Sequence, residues 1–313
     1  MKKWAAKQTR SGFTIVELLI VVVVIAILAA ITIVAYNGIQ NRAKESALQS
    51  AVAQAGKKVA AYGVQNSDTF PADKAAFMTQ ANLSDTSDTT YSYMAGDTAR
   101  GYCVSATSSN AALPQYAFSS TSGGAVKGLC VKNFAMNPSM EAAGTTGWGP
   151  RLSASLSRVT TESHSGSASM SVTTPGAIVD EGLNMAVNGG SVSSGLTGVH
   201  TGSAWVKAPA GVALRIMIEE YTSGGSYVAG TMNTFTGTGA WQRVSVTRTL
   251  VDATSRYVVN VRTNAAVAAT YYVDDVMITA GPTLYVYGDG RTPGWNWSGA
   301  TDASASFGPT NAQ

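Results

Sequence analysis

Residues Phe13 to Tyr36 form an apolar run of 24 residues broken by one formal charge, Glu17. As a helix such a run spans roughly 36 Å, enough to cross a hydrocarbon core of about 30 Å. Lys2, Lys3, Lys7 and Arg10 precede it, which holds the start on the cytoplasmic side and sends the rest outward. A secretory signal has a shorter apolar core followed by a small-residue cleavage site. Here the run passes instead into a helical pattern at Ile39, Ala43, Leu48, Val52, Ala55, Val59 and Tyr62, spaced mostly three and four apart. One helix from about Phe13 to about Tyr62 is predicted, apolar all round in its first half and one-sided in its second.

Glu17 turns this anchor into a mechanism. A carboxylate in a membrane helix is costly and functional by default. If the chain is cut after Gly12, the new amine of Phe13 can sit beside Glu17 of a neighbouring copy, and lateral assembly relieves both desolvation penalties. The plain alternative is a neutralised Glu17 facing lipid near the interface. The stretch from Lys7 to Gly12, followed by Phe13, Thr14, Ile15, Val16, Glu17, Leu18, Leu19 and Ile20, resembles the class III signal of type IV pilins and secretion pseudopilins. The resemblance implies that a membrane prepilin peptidase cuts after Gly12 and methylates the Phe13 amine. It also implies that Glu17 registers subunits in a helical homo- or hetero-polymer. The precursor then resides in the cytoplasmic membrane and the mature chain in an extracellular surface filament.

Beyond the leader the chain is nearly neutral, and only 12% of its residues are charged, against roughly 25% in ordinary soluble proteins. No basic stripe is left to follow a phosphate backbone, so nucleic acid is not expected as a partner. The two cysteines, Cys103 and Cys130, follow an export signal and are therefore read as a disulfide.

The expected fold class is an α+β pilin, a long N-terminal helix packed on a small antiparallel sheet, followed by an all-β jelly-roll sandwich. The divisions are a cleaved basic leader at 1–12, a transmembrane and filament-core helix at 13–36, and an amphipathic helix with a small β head at 37–132. A β-sandwich follows at 133–280 and a Gly/Trp-rich tail at 281–313. In the head, a short helical turn is expected at Asp73–Phe77 and strands at Tyr91–Met94, Gly101–Ser105, Tyr116–Ser119 and Val126–Val131. In the sandwich, strands are expected at Ala168–Val172, Gly202–Val206, Ala213–Glu219, Trp241–Val246, Tyr257–Arg262 and Tyr271–Ile278. Leu214, Ile216 and Ile218 alternate with Arg215, Met217 and Glu219, which gives one buried and one solvated sheet face.

Five segments in this region resemble jelly-roll carbohydrate-binding modules: Asn137 to Glu141 with Trp148 after it, Ser163 to Met170, Ser203 to Ala208, Gly239 to Arg243, and Tyr272 to Val276. The resemblance implies the fold and leaves the ligand open. Trp205 and Trp241 sit within apolar alternation and are read as core, with a platform for a sugar ring as the alternative. Tyr221 and Tyr227 flank the Gly-Ser loop 222–226 and are candidates for stacking on an extracellular glycan, as are Trp295 and Trp297 if the tail forms a ledge instead of docking on the sandwich. Arg215, Glu219 and Arg262 are placed on a solvated sheet face. Asp274 and Asp275, with Glu141, admit a structural calcium reading beside a cap or turn role; calcium requires six to eight oxygens.

No catalytic constellation is evident, and no cofactor for catalysis is expected. His164 and His200 are assigned to Ser/Gly-rich loops with no metal-ligand spacing. Glu219 and Glu220 are adjacent and point to opposite strand faces, which does not suit a general acid/base pair. The expectation is a filament subunit with an adhesive outer domain and no enzyme. The alternatives are a purely structural decorated pilin, or a pseudopilin of a type II-like secretion or DNA-uptake machine.

Overall fold

A computed structural model describes residues 14–96, 101–185, 197–251 and 256–313. The cleavage junction Gly12–Phe13 lies outside the described residues. The chain forms two compact units, residues 1–47 and 48–313. The first is carried by α1, Ile15–Gln65, whose apolar N-terminal half exposes its side chains all round and is long and apolar enough to cross a membrane. The expected stripe begins later than its periodicity implies. Ile39 and Ala43 are exposed, and the buried face starts at Leu48 and continues through Val52, Ala55, Gly56, Val59 and Gly63.

That face belongs to the head of the second unit. After α1 come α2, Lys74–Ala81, capped by Asp73, which accepts from the Ala76 amide at 2.8 Å, and then β1, Thr89–Ala95. Next are β2, Tyr102–Ser108, β3, Tyr116–Ser119, and β4, Val126–Lys127, and the four strands form an antiparallel sheet in that order. Phe77, Tyr91, Tyr93, Tyr102 and Phe118 fill the space between sheet and helix. Two helix glycines permit the close approach. A Cβ at Gly56 would stand 2.2 Å from the Phe118 ring, and one at Gly63 would stand 2.4 Å from Phe70. The run expected as one strand at Val126–Val131 breaks at Gly128, whose φ is +133°, and continues as β5, Leu129–Asn133, in a different sheet. Cys103 on β2 and Cys130 on β5 are joined as a disulfide.

The sandwich follows, with β6, Trp148–Arg151, β7, Ser155–Val159, β8, Ser169–Pro175, β9, Gly182–Met185, and β10, Gly198–Lys207. The remaining strands are β11, Ala213–Tyr221, β12, Tyr227–Thr236, β13, Trp241–Leu250, β14, Arg256–Thr263, and β15, Ala268–Ala280. They form two five-stranded antiparallel sheets, ordered β13-β10-β15-β8-β7 and β12-β11-β14-β9-β6. Their facing sides supply one apolar core that includes Met170, Val206, Leu214, Ile216, Ile218, Val259, Val261 and Tyr271. The fold is thus the α+β head and all-β sandwich expected from the sequence.

The C-terminal segment is no loose tail. It forms β16, Asn296–Trp297, and β17, Ser306–Thr310, and β17 pairs antiparallel with β5 from Asn133↔Ser306 to Leu129↔Thr310. Phe307 packs against Cys103, Ala117 and Cys130. The sandwich is therefore inserted between two neighbouring strands, the chain leaving through β5 and returning beside it as β17.

Candidate functional site

The outer face of the β12-β11-β14-β9-β6 sheet gathers most of the polar chemistry. Alternation along β11 sends Leu214, Ile216 and Ile218 into the core and turns Arg215, Met217 and Glu219 outward, while Tyr221, past a register shift at the strand end, packs against the edge of the core. Register sets Arg215 opposite Arg262, Met217 opposite Asn260 and Tyr221 opposite Arg256, while Asn260 faces Asn184 on β9. Two arginines directly opposite repel. Asp180 separates that cost by pairing with both, and Arg262 turns further, donating from Nη1 to Glu219 Oε1 at 2.9 Å and from Nη2 to Asn184 Oδ1 at 2.8 Å.

The expectation of a solvated role for Glu219 and Arg262 is corrected here: both are buried, Arg262 completely. Alternation identifies the face but not what covers it, and on this face the polar groups cover one another. Burial on its own would raise Glu219, but the Arg262 hydrogen bonds and charge hold it below the ordinary glutamate value. Asn260 Nδ2 and Tyr221 Oη also donate to its Oε2, both at 2.9 Å. Burial, then the bond to Glu219, pushes the Tyr221 phenol up to about 12. Glu220 points the other way and pairs with Arg248, as the strand geometry predicts.

Tyr221 and Tyr227 meet edge to face at the end of this sheet, their ring centroids 5.7 Å apart, and Tyr227 is 58% exposed. Beside them lies a cavity of about 210 Å³ lined by Arg151, Asn184, Met185, Tyr221, Gly225, Arg256 and Val258. The two tail tryptophans are not at this site. Trp295 is buried against Val131 and Met277 and donates to the Pro309 carbonyl at 3.0 Å. Trp297 is half-buried on Gly290, where an added Cβ would stand 2.4 Å from its ring. The docked reading of the tail therefore replaces the ledge.

Trp205 and Trp241 are not core residues either. The core positions beside them are Ala204, Val206, Val244 and Val246, and both tryptophans are half-buried on the outer face of the opposite sheet. There Trp205 stacks on the His164 ring at 3.8 Å. His164 pairs with Asp275 at 2.6 Å, so this loop histidine has a carboxylate partner that sequence spacing could not reveal. His200 lies within β10, buried beside Tyr257, and not in a loop.

Around Asp274 and Asp275 the carboxylates hold the backbone and side chains of the 163–168 loop. Asp274 accepts from the amides of His164, Ser165 and Asp275; Asp275 accepts from Ser165 Oγ and holds His164. Glu141 accepts from the amides of Ser167 and Ala168, from Ser167 Oγ and from Arg158. Each of the carboxylate oxygens already faces a hydrogen donor, and among the described residues no three His, Cys, Asp or Glu side chains are grouped to hold a metal ion. The three residues as placed act as a set of turn clamps. Burial and the neighbouring charge of Asp275 push the Asp274 carboxyl up.

In the first unit Glu17 has a local partner that the sequence reading missed. Its Oε2 accepts from Thr14 N at 2.9 Å and from Thr14 Oγ1 at 2.7 Å, while its own amide donates to Thr14 Oγ1. This is a capping box, and its signal was present as a threonine three residues before a glutamate at the start of an apolar run.

Two family models match the chain: the prokaryotic N-terminal methylation motif at residues 7–33, and a carbohydrate binding domain at residues 132–270. This chain carries a type IV pilin-type signal and a carbohydrate-binding-type sandwich. Both resemblances read from the sequence are borne out. No curated protein matches it.

Among solved structures, an arabinose-bound α-L-arabinofuranosidase, MgGH51, is similar at 15% identity and a TM-score of 0.39, with 49% of this chain and 27% of that one covered. TmCBM61, in complex with beta-1,4-galactotriose, is similar at 14% identity and a TM-score of 0.34, covering 48% of this chain and 99% of that one. The CBM22-1 xylan-binding domain of Paenibacillus barcinonensis Xyn10C is similar at 17% identity and a TM-score of 0.36, covering 47% and 96%. These likenesses concern about half of this chain and little more than a quarter of the arabinofuranosidase.

Proposed function

We propose that the chain is a subunit of a type IV pilus-like surface filament, assembled through α1, whose inserted sandwich adheres to extracellular glycans. The observation that carries the adhesive part is the Tyr221–Tyr227 pair at the edge of a hydrogen-bonding sheet face. Sugar rings stack on exposed aromatic faces while their hydroxyls need fixed donors and acceptors, and Asn184 and Arg256 line the adjoining cavity. The N-terminal motif supports processing by a prepilin peptidase after Gly12, methylation of Phe13 and passage from the membrane to the cell surface. Glu17 then has two roles, capping its own helix and pairing with the Phe13 amine of the next subunit. The chain is proposed to act by binding alone, without catalysis.

The test shears filaments from the native cells, identifies the N-terminal peptide by mass spectrometry and measures filament binding to immobilised polysaccharides. Methylated Phe13 in the filament fraction, with glycan binding lost on Tyr221→Ala and Tyr227→Ala, is the expected result. Absence from filaments, with co-purification in a secretion complex, moves the chain to the pseudopilins. A filament that binds no glycan leaves a decorated structural pilin, a reading to which the self-paired Glu219–Arg262 floor already lends weight.

A further inference from the structure

The site face holds four arginines, Arg151, Arg215, Arg256 and Arg262, against two carboxylates, Asp180 and Glu219. The pairing among them is unequal. Arg215 and Arg262 are both engaged by Asp180, and Arg262 is also gripped by Glu219. Neither Arg151 nor Arg256 makes a direct ion pair among the described residues, although the charge of Arg151 is felt by Asp180 and Glu219. Arg256 donates to the Ser223 carbonyl, and the Nε of Arg151 is buried without a hydrogen-bond partner. Both line the 210 Å³ cavity beside Tyr221.

Two guanidinium groups that line one small cavity without a direct ion pair repel each other. An anionic group entering the cavity relieves that repulsion and meets the planar fork that arginine presents to carboxylates. A neutral sugar offers hydroxyls and leaves the surplus charge in place. We propose, building on the glycan-binding reading above, that the cavity takes an acidic sugar, its ring against Tyr221 and its anionic substituent between Arg151 and Arg256. The cavity is sized for one ring, so the acidic residue is read singly within a longer polymer whose adjoining units run along Tyr227. Carboxylate and ester sulfate share the required charge and acceptor geometry.

The full chain, purified in a detergent without a sugar headgroup, is titrated with polygalacturonate, dextran sulfate and neutral xylan at low and moderate salt. Arg151→Gln and Arg256→Gln are titrated in parallel, each checked for an unchanged melting transition. The expected result is tighter binding of an acidic polymer than of xylan, weakened by salt and reduced about tenfold by either substitution, as befits one charge-assisted contact. A preference for polygalacturonate assigns the carboxylate, and one for dextran sulfate assigns the sulfate. Acidic binding that survives both substitutions overturns the proposal, as does binding of xylan alone, which leaves the adhesive reading standing. Failure to bind any polymer overturns both.

Discussion

Arg262 and Glu219 clasp one another through both guanidinium Nη atoms and both carboxylate oxygens, on the outside of a sheet yet out of reach of solvent. Removing one partner of such a pair leaves an uncompensated buried charge. Arg262→Leu is expected to cost about 3–5 kcal/mol, and pairing it with Glu219→Leu to recover most of that loss. A double-mutant cycle by chemical denaturation reads the coupling. Additive losses would show that the two side chains act independently.

The same pair predicts an acid limb of stability. Glu219 is held below its ordinary value of 4.5, so the folded state binds that proton less tightly than the unfolded state. Its contribution is complete above pH 4.5 and is lost as pH falls through the lower folded value. Denaturation midpoints followed between about pH 5 and pH 3 should fall less steeply in Glu219→Gln than in the parent. Equal slopes would mean that Arg262 does not keep the carboxylate ionised.

Gly56 makes a sharper test of packing. In a helix interior, Gly→Ala ordinarily stabilises by about 1 kcal/mol. At this position the added Cβ would stand 2.2 Å from the Phe118 ring, so Gly56→Ala is expected to destabilise instead, by about 1–3 kcal/mol. A shift of the melting temperature upward would show that Phe118 moves aside freely.

Two aromatic truncations should separate scaffold from surface. Trp295→Ala removes a buried ring from beneath β17 and is expected to cost about 3–5 kcal/mol. Tyr227→Ala, at an exposed position, should change stability by no more than about 0.5 kcal/mol while abolishing adhesion. Comparable destabilisation by both would place Tyr227 in the framework and remove it from the binding surface.

Local rules carried much of the structure. The apolar run, the Leu214–Ile216–Ile218 alternation and the cysteine pair each depend on near neighbours or on compartment, and each is found as expected. Rules of that kind cannot say what lies across a face. Trp205 and Trp241 occupy apolar-looking strands, but small residues fill the core beside them and the rings pack outside on His164. Gly56 and Gly63 were invisible to an apolar pattern because they contribute by lacking a side chain. Arg215 and Arg262 are set opposite one another only by the register of β11 on β14, so the shared Asp180 could not be read from spacing. The return of β17 to β5 joins residues far apart in sequence, and nothing within either strand announces the other.

The disulfide acquires a different meaning once the sandwich is seen as an insertion. If the filament adheres through the sandwich as proposed, a cell tethered through a sugar pulls on it and the tension re-enters the head along β5. Cys130 lies on that strand just before the exit at Asn133, and its bond crosses to Cys103 on β2. Residues 104–129 therefore stand outside the mechanical load path. β3 and β4 can keep their fold while the force runs past them through a covalent shunt.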